Sequence, residues 1–291
     1  LPTPVVDRRA PVVFPGDREP EGVRHPGPTV QPGLGDGPIP TVAGAELTQL
    51  SANAHNVTIP AERVKGWEKW LLATSDHHFD STQCDRDLLG YHHELARDLD
   101  AGTVCIGDAL DLMQGRQDKR AGKIDLRPEY QTESYADAIV DDAASWYGKH
   151  ADRYWMMSYG NHESGHRKYQ ETDLLARLVR RLNRDNDAAI MLGSYRGRLN
   201  LDCDFGHDDV QRVRGAYHHG HGGGGPVTVG TIGAQRARAA GTFDLWLTGH
   251  VHEKWALWST VADVDEEGHA VYRDVLQVCC GPYKTEGLGG S

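Results

Sequence analysis

Four apolar runs in this chain each stop at a short cluster of Asp, Asn and His, and this coincidence constrains the fold more than any other feature. Lys69-Trp70-Leu71-Leu72-Ala73-Thr74 leads into Asp76-His77-His78, and Thr103-Val104-Cys105-Ile106 leads into Gly107-Asp108. Arg153 to Tyr159 leads into Gly160-Asn161-His162-Glu163, and Phe243 to Thr248 leads into Gly249-His250-Val251-His252. Short apolar runs of this kind read as buried strands. Between them, Leu88, Tyr91, His92, Leu95 and Leu99 recur at helical steps, as do the apolar residues of Tyr135 to Tyr147 and of Thr172 to Leu182. Strands alternating with helices imply largely parallel sheets, and such folds gather their functional groups at the carboxyl ends of strands. The clusters are therefore expected to converge.

Side chains two apart in an extended chain share a face, which predicts that Asp76 and His78 point together while His77 turns away. His250 and His252 pair across Val251 by the same logic. A fifth cluster, Tyr217-His218-His219-Gly220-His221, lies between the third and fourth, and its histidines compete for one ligand position. Glycines before Asp108, Asn161 and His250, and after His219, let the backbone turn sharply beside the ligands. Carboxylate, amide oxygen and imidazole together suit first-row divalent ions, Mn foremost with Fe, Zn or Ni as alternatives, better than Ca or Mg.

The formal charge of -11 argues against a protein that coats nucleic acid with its whole surface. Local capture of a phosphate stays open, because bound divalent ions would add positive charge where it must sit. The cysteines are odd in number and show no C-x-x-C spacing, which reads as reduced thiols in a cytoplasmic protein. The first twenty residues carry Asp, Arg, Glu and Pro where a secretory leader needs an apolar stretch, and no run is long enough to span a bilayer. Asn56-Val57-Thr58 is then an accidental sequon. Residues 1–60 are rich in Pro and Gly and read as an extended arm, with Val5-Val6, Val12-Val13-Phe14 and Ile39-Pro40 as anchors that could hold a homo-oligomer together. Residues 61–286 form the main domain and residues 287–291 a flexible tail. Near the end, Trp255 to Val264 and Ala270 to Cys279 read as an antiparallel hairpin around Asp265-Glu266-Glu267-Gly268.

Asp76-x-His78, Gly107-Asp108, Gly160-Asn161-His162, His219-Gly220 and Gly249-His250-x-His252, in this order, resemble the signature of the calcineurin-like metallophosphoesterases. That superfamily includes nucleases, cyclic-nucleotide phosphodiesterases and Ser/Thr protein phosphatases, and the resemblance spans Trp67 to Pro282. It implies an α/β fold, a four-layer αββα sandwich of two mixed sheets flanked by helices. It implies two divalent ions, one held by Asp76, His78, Asp108 and His252, the other by Asp108, Asn161, His219 and His250, with Asp108 as the bridge. His219 is preferred to its neighbours because the family places its ligand directly before a Gly. His162 matches the histidine that steadies the transition state or protonates the leaving oxygen, and Asp111 would orient it. The implied chemistry is phosphoester hydrolysis by in-line attack of a metal-bridging hydroxide.

Gly107-Asp108-x-x-Asp111 continues with Leu112-Met113, where protein phosphatases continue with Arg-Gly, and this departure favours a phosphodiesterase acting on nucleic acid or a nucleotide. Arg116, Arg167 and Lys168 are candidates to contact phosphate instead. Arg177, Arg180, Arg181 and Arg184 form a basic stripe that could track a backbone, and the glycines of His221 to Pro226 could offer N–H groups to a phosphate. The alternatives are a phosphomonoesterase and a binding or assembly protein that keeps the fold.

Overall fold

The alternating texture of the sequence resolves into two sheets, described by a computed structural model over residues 41–113, 126–222, 242–264 and 268–285. The strands begin with β1 (Thr41–Val42), β2 (Ala45–Ser51) and β3 (Ala54–Pro60), followed by β4 (Leu71–Thr74), β5 (Gly102–Cys105), β6 (Tyr154–Ser158) and β7 (Met191–Gly193). Next come β8 (Arg196–Asp204), β9 (Val210–Val213), β10 (Gly215–His218), β11 (Leu245–Thr248), β12 (Trp255–Val264) and β13 (Ala270–Cys279). The described α-helices are α1 (Arg86–Asp98), α2 (Tyr135–Tyr147), α3 (Asn161–Gln170) and α4 (Leu174–Asn186). Asp85 caps α1 by accepting from the Leu88 N–H, and Asp173 caps α4 by accepting from the Ala176 N–H. Among the described residues no helix is long and apolar enough to cross a membrane.

Strands β4, β5, β6 and β7 lie side by side in a parallel sheet. The remaining strands form a mixed sheet in the order β1-β2-β3-β8-β10-β11-β13-β12, with β9 added to β8. In the parallel sheet β5 and β6 are buried along their whole length. Such strands need cover on both faces, which explains their continuous apolar runs. On one face Leu89 of α1, Ile139 and Tyr147 of α2 and Leu178 of α4 pack against Cys105, Tyr154 and Met157. On the other, Val104, Trp155 and Met156 meet Val57, Leu199, Tyr217 and Leu247 of the mixed sheet. The described layers therefore run helices, parallel sheet, mixed sheet.

Two expectations are revised. Residues 41–60 do not belong to an extended arm but supply β1, β2 and β3. Ala45 and Leu47, then His55, Val57 and Ile59, turn inward at alternate positions, a period-two signal masked in the sequence by the Pro- and Gly-rich stretch before it. Residues 1–40, with the expected anchors and assembly role, lie outside the described residues, as does the whole of the tail expected at 287–291. The smaller sheet is parallel rather than mixed, because each of its connections passes through helix and returns the chain in the same direction. The hairpin of β12 and β13 pairs as expected, from Trp255 with Cys279 to Val264 with Ala270. Asn56 of the sequon lies within β3, where its amide donates to Asp202 at 3.2 Å.

Trp155 fastens the sheets together. Its indole N–H donates to the Val42 carbonyl at 3.0 Å, and its ring fills the space over Gly102, where a Cβ would come within 2.0 Å of the ring. Trp155→Ala is expected to lower unfolding free energy by ~3–5 kcal/mol in a urea titration, with Gly102→Ala destabilising through the same contact. A loss under about 1 kcal/mol for Trp155→Ala would mean that the sheets are held elsewhere.

Candidate metal centre

The strand-end clusters do converge, but the backbone that brings them together is not extended. Asp76 (φ 53°), His78 (φ 48°), Asp108 (φ 52°), His250 (φ 73°) and His252 (φ 55°) all occupy the left-handed region. That conformation is uncommon for residues other than Gly, although Asp and His tolerate it better than bulkier side chains. Asp76 and His78 thus share a direction because each turns left-handed, and strand alternation is not the cause. The turned segments are zipped together past the ends of their strands. The Asp76 N–H donates to Gly107 O at 3.0 Å, His78 N–H to Asp108 O at 3.0 Å, and Phe79 N–H to Ala109 O at 3.1 Å. His77 faces away as expected, with its Nδ1 2.8 Å from the Tyr147 hydroxyl in the core.

Three groups of side chains place ligand atoms close enough to hold a metal ion: Asp76, His78 and His252; Asp108, His219 and His250; and His78, Asp108 and His162. In the first, His78 Nε2 lies 3.3 Å from His252 Nε2, and Asp76 Oδ1 lies 3.9 Å and 3.5 Å from these nitrogens. In the second, His219 Nε2 is 3.1 Å from Asp108 Oδ2. Asn161 Oδ1 joins this group, 3.0 Å from His219 Nε2 and 2.6 Å from His250 Nδ1. His219 is the histidine of its cluster that meets Asp108 and Asn161, while His218 turns its Nδ1 to the Gly220 N–H at 2.8 Å. His162 Nε2 stands 3.8 Å from Asp108 Oδ2. All the proposed ligands are brought together.

The site fits a cation. Asp76 Oδ1 is buried without a hydrogen-bond partner, and two imidazole nitrogens face one another beside it, of which only one can supply a hydrogen. His219 spends its Nδ1 on the Ile106 carbonyl at 2.7 Å, which leaves Nε2 for the centre. Burial works against charge on His219, yet Asp108 and Asp76 raise its pKa to about 10. Burial would raise the Asp108 carboxyl, but His219 and His162 outweigh it and hold the group well below the usual carboxylate range. The two carboxylates thus draw His219 toward its charged form.

Sequence reasoning missed the residues that support this arrangement. Glu163 is buried, and its carboxylate accepts from the N–H groups of Asp108 (3.1 Å), Leu110 (3.1 Å) and Gly160 (2.9 Å), tying the turn after β5 to the turn after β6. Burial first, and Asp108 second, push its pKa up to about 8. A Glu in the first turn of a helix was the available signal, since it can reach back to the N–H of the capping residue. Asp80 accepts from the N–H groups of Asp111 (2.6 Å) and Leu112 (3.0 Å) and so sets the next turn. Gly160 and Gly249 complete the fit, because a Cβ would fall 2.0 Å from Asp108 Oδ1 at the first and 2.4 Å from Asp76 Oδ2 at the second.

Asp111 departs from its expected part. His162 Nδ1 bonds to the backbone carbonyl of Asp111, whereas the carboxylate lies 2.8 Å from His78 Nδ1 and 3.8 Å from His162 Nδ1. The cause is the anchoring of the Asp111 N–H by Asp80, which presents the carbonyl to one histidine and the side chain to the other. The arginine stripe also reads differently. Arg177 pairs with Asp137, Arg181 with Asp141 and Asp185, and Arg184 with Asp185, so its charge is largely met within the chain. Arg167 lies over the Tyr159 ring and 3.6 Å from Asp173. Arg116 and the glycines after Gly222 lie outside the described residues.

No protein-family model, curated protein or solved structure matches the chain. Among the supporting residues Glu163 offers the sharpest test, since Glu163→Gln would turn an amide donor toward backbone donors. It is expected to weaken Mn2+ binding by about 10- to 100-fold in calorimetry and to lower stability by ~1–3 kcal/mol. Wild-type affinity in this variant would show that the carboxylate does not hold the turns.

Proposed function

We propose that this chain is a dinuclear-metal phosphoester hydrolase of the calcineurin-like metallophosphoesterase superfamily, and that its substrates are phosphodiesters, nucleic acid or a nucleotide. The observation that carries the reading is Asp108, whose carboxylate belongs both to a group with His219 and His250 and to a group with His78 and His162 that are close enough to hold an ion. Asp76, His78 and His252 would bound one ion, with Asn161, His219 and His250 bounding the other and Asp108 shared between them. Imidazole, carboxylate and amide donors without thiolate favour Mn2+, with Fe, Zn or Ni as further candidates. Bound there, a pair of divalent ions supplies an activated water and offsets the charge of the phosphate oxygens.

The chain's own groups then divide the remaining work. His162 is held through Nδ1 by the Asp111 carbonyl, so Nε2 faces the centre and can hand a proton to the departing oxygen. Glu163 and Gly160 fix Asn161 and Asp108 in register, which limits the motion of the groups that orient the phosphate. The four-layer sandwich belongs to the same reading. Ala216, Phe243 and Val275, with Trp246 and Val261 packed against them, form a second buried apolar cluster apart from the one between the sheets, which supports this reading. Free thiols at Cys84, Cys105, Cys203, Cys279 and Cys280 fit a reducing, cytoplasmic setting.

Metal-reconstituted protein is expected to hydrolyse bis-p-nitrophenyl phosphate faster than p-nitrophenyl phosphate and to cut labelled DNA, with all turnover abolished by chelator. The reverse preference would make it a phosphomonoesterase. Two bound ions without turnover of any of the three would favour the binding-protein alternative. His162→Ala is expected to keep its metal and lose about 100- to 10,000-fold in turnover, while Asp108→Ala loses metal as well. Equal metal loss in both variants would overturn the part given to His162.

A further inference from the structure

Two groups close on Asp111 Oδ1: Lys284 Nζ donates to it at 2.9 Å, and His78 Nδ1 lies against it at 2.8 Å. His78 engaged through Nδ1 presents Nε2 toward His252 and Asp76, the side on which an ion would sit. Lys284 does not reach that side, because its ammonium ends on the carboxylate behind His78. Its backbone is stitched down near the first cluster. Lys284 forms a β-bridge with Cys84, Thr285 N–H donates to Gln83 O at 3.0 Å, and Asp85 N–H donates to Tyr283 O at 2.7 Å. Tyr283 N–H in turn donates to Asp76 O at 3.0 Å, so the segment after β13 grips the Asp76–His78 turn by its backbone as well.

We infer that Lys284 is a positioning residue for the ion bounded by Asp76, His78 and His252, acting through Asp111 on the orientation of His78. This rests on the dinuclear reading proposed above. With its N–H anchored by Asp80, Asp111 keeps mainly its side-chain rotation, and Lys284 holds that rotation in place. Without the ammonium the carboxylate can swing toward His162, whose Nδ1 lies 3.8 Å from the same oxygen, and His78 loses the carboxylate that lies against its Nδ1. The group of Asp108, His219 and His250 uses neither residue, since His219 is oriented by the Ile106 carbonyl. Lys284 therefore acts on one ion and not on the other, which a general loss of stability would not reproduce.

Titration calorimetry of the full chain with Mn2+ tests the inference, with His252→Ala identifying the step that belongs to the Asp76 group. Lys284→Met is expected to weaken that step by about tenfold and to leave the other within about twofold of wild type. Lys284→Arg, which still donates to the carboxylate, should restore most of the loss. In metal-free protein, long-range 1H–15N spectra should show the His78 ring as the Nδ1–H tautomer in wild type and as a mixture in Lys284→Met. Equal weakening of both steps, no change in the step of the Asp76 group, or Lys284→Arg no better than Lys284→Met would overturn the inference. A wild type that binds fewer than two Mn2+ would sink the dinuclear reading instead, and the tautomer measurement would still decide whether Lys284 sets His78.

Discussion

The centre of this molecule depends on backbone hydrogen bonds that continue past the ends of the strands. The ladder between β4 and β5 runs on from Ile106 N–H to Thr74 O, through Asp76 to Gly107, His78 to Asp108 and Phe79 to Ala109. From the mixed sheet, Gly249 N–H reaches His219 O at 2.9 Å, and His250 N–H reaches the Asp76 carboxylate at 2.8 Å. These bonds hold ligand residues in left-handed backbone, a state of order 1–3 kcal/mol above relaxed conformations at each position. Only a surrounding structure that leaves no alternative can sustain several such residues around one centre. The buried parallel sheet, covered on both faces and fastened by Trp155, provides that structure.

The strain explains why the ligands were legible in the sequence while their geometry was not. Polar clusters ending apolar runs identify Asp76, Asp108, Asn161 and His250, because a strand end is where a buried run gives way to a turn. How those turns are wound depends on partners far along the chain. Alternation rightly predicted that His77 faces away, for a reason that does not hold at φ 53° and φ 48°. The first-turn position of Glu163 announced its reach to Gly160, but its bond to the Asp108 turn and that of Lys284 to Asp111 were unreadable for the same reason, since both form only once the sheets have come together. Residues 41–60 carried a period-two pattern, but their composition drew them into the neighbouring arm. For the arginine stripe, the facing acids of α2 are invisible to a reading of one helix at a time.

Electrostatics ties these features together. Asp76, Asp80, Asp108, Asp111 and Glu163 are all buried within one neighbourhood. Desolvation raises the energy of each ionised carboxylate, and packing them together adds repulsion. Glu163 and Asp80 gather N–H groups and are also pushed by burial toward their neutral forms, while Lys284 meets the charge of Asp111. Asp76 and Asp108 are the pair left to face the open centre, where protonated His219 is the nearest compensation.

This division has a physical logic. Carboxylates that organise backbone sit behind the turns and are satisfied by donors from the chain. The ones that border the centre are left under-satisfied, most plainly at Asp76 Oδ1. A buried oxygen without a donor is costly unless a cation meets it, so the fold concentrates that cost where an ion would remove it. An ion entering there would displace the proton on His219 and make its Nε2 a ligand, so charge compensation and ligation are two states of one side chain. The supporting residues that keep His219, His78 and Asn161 aimed inward therefore matter most before any ion arrives, because they hold the donors in place against their own repulsion.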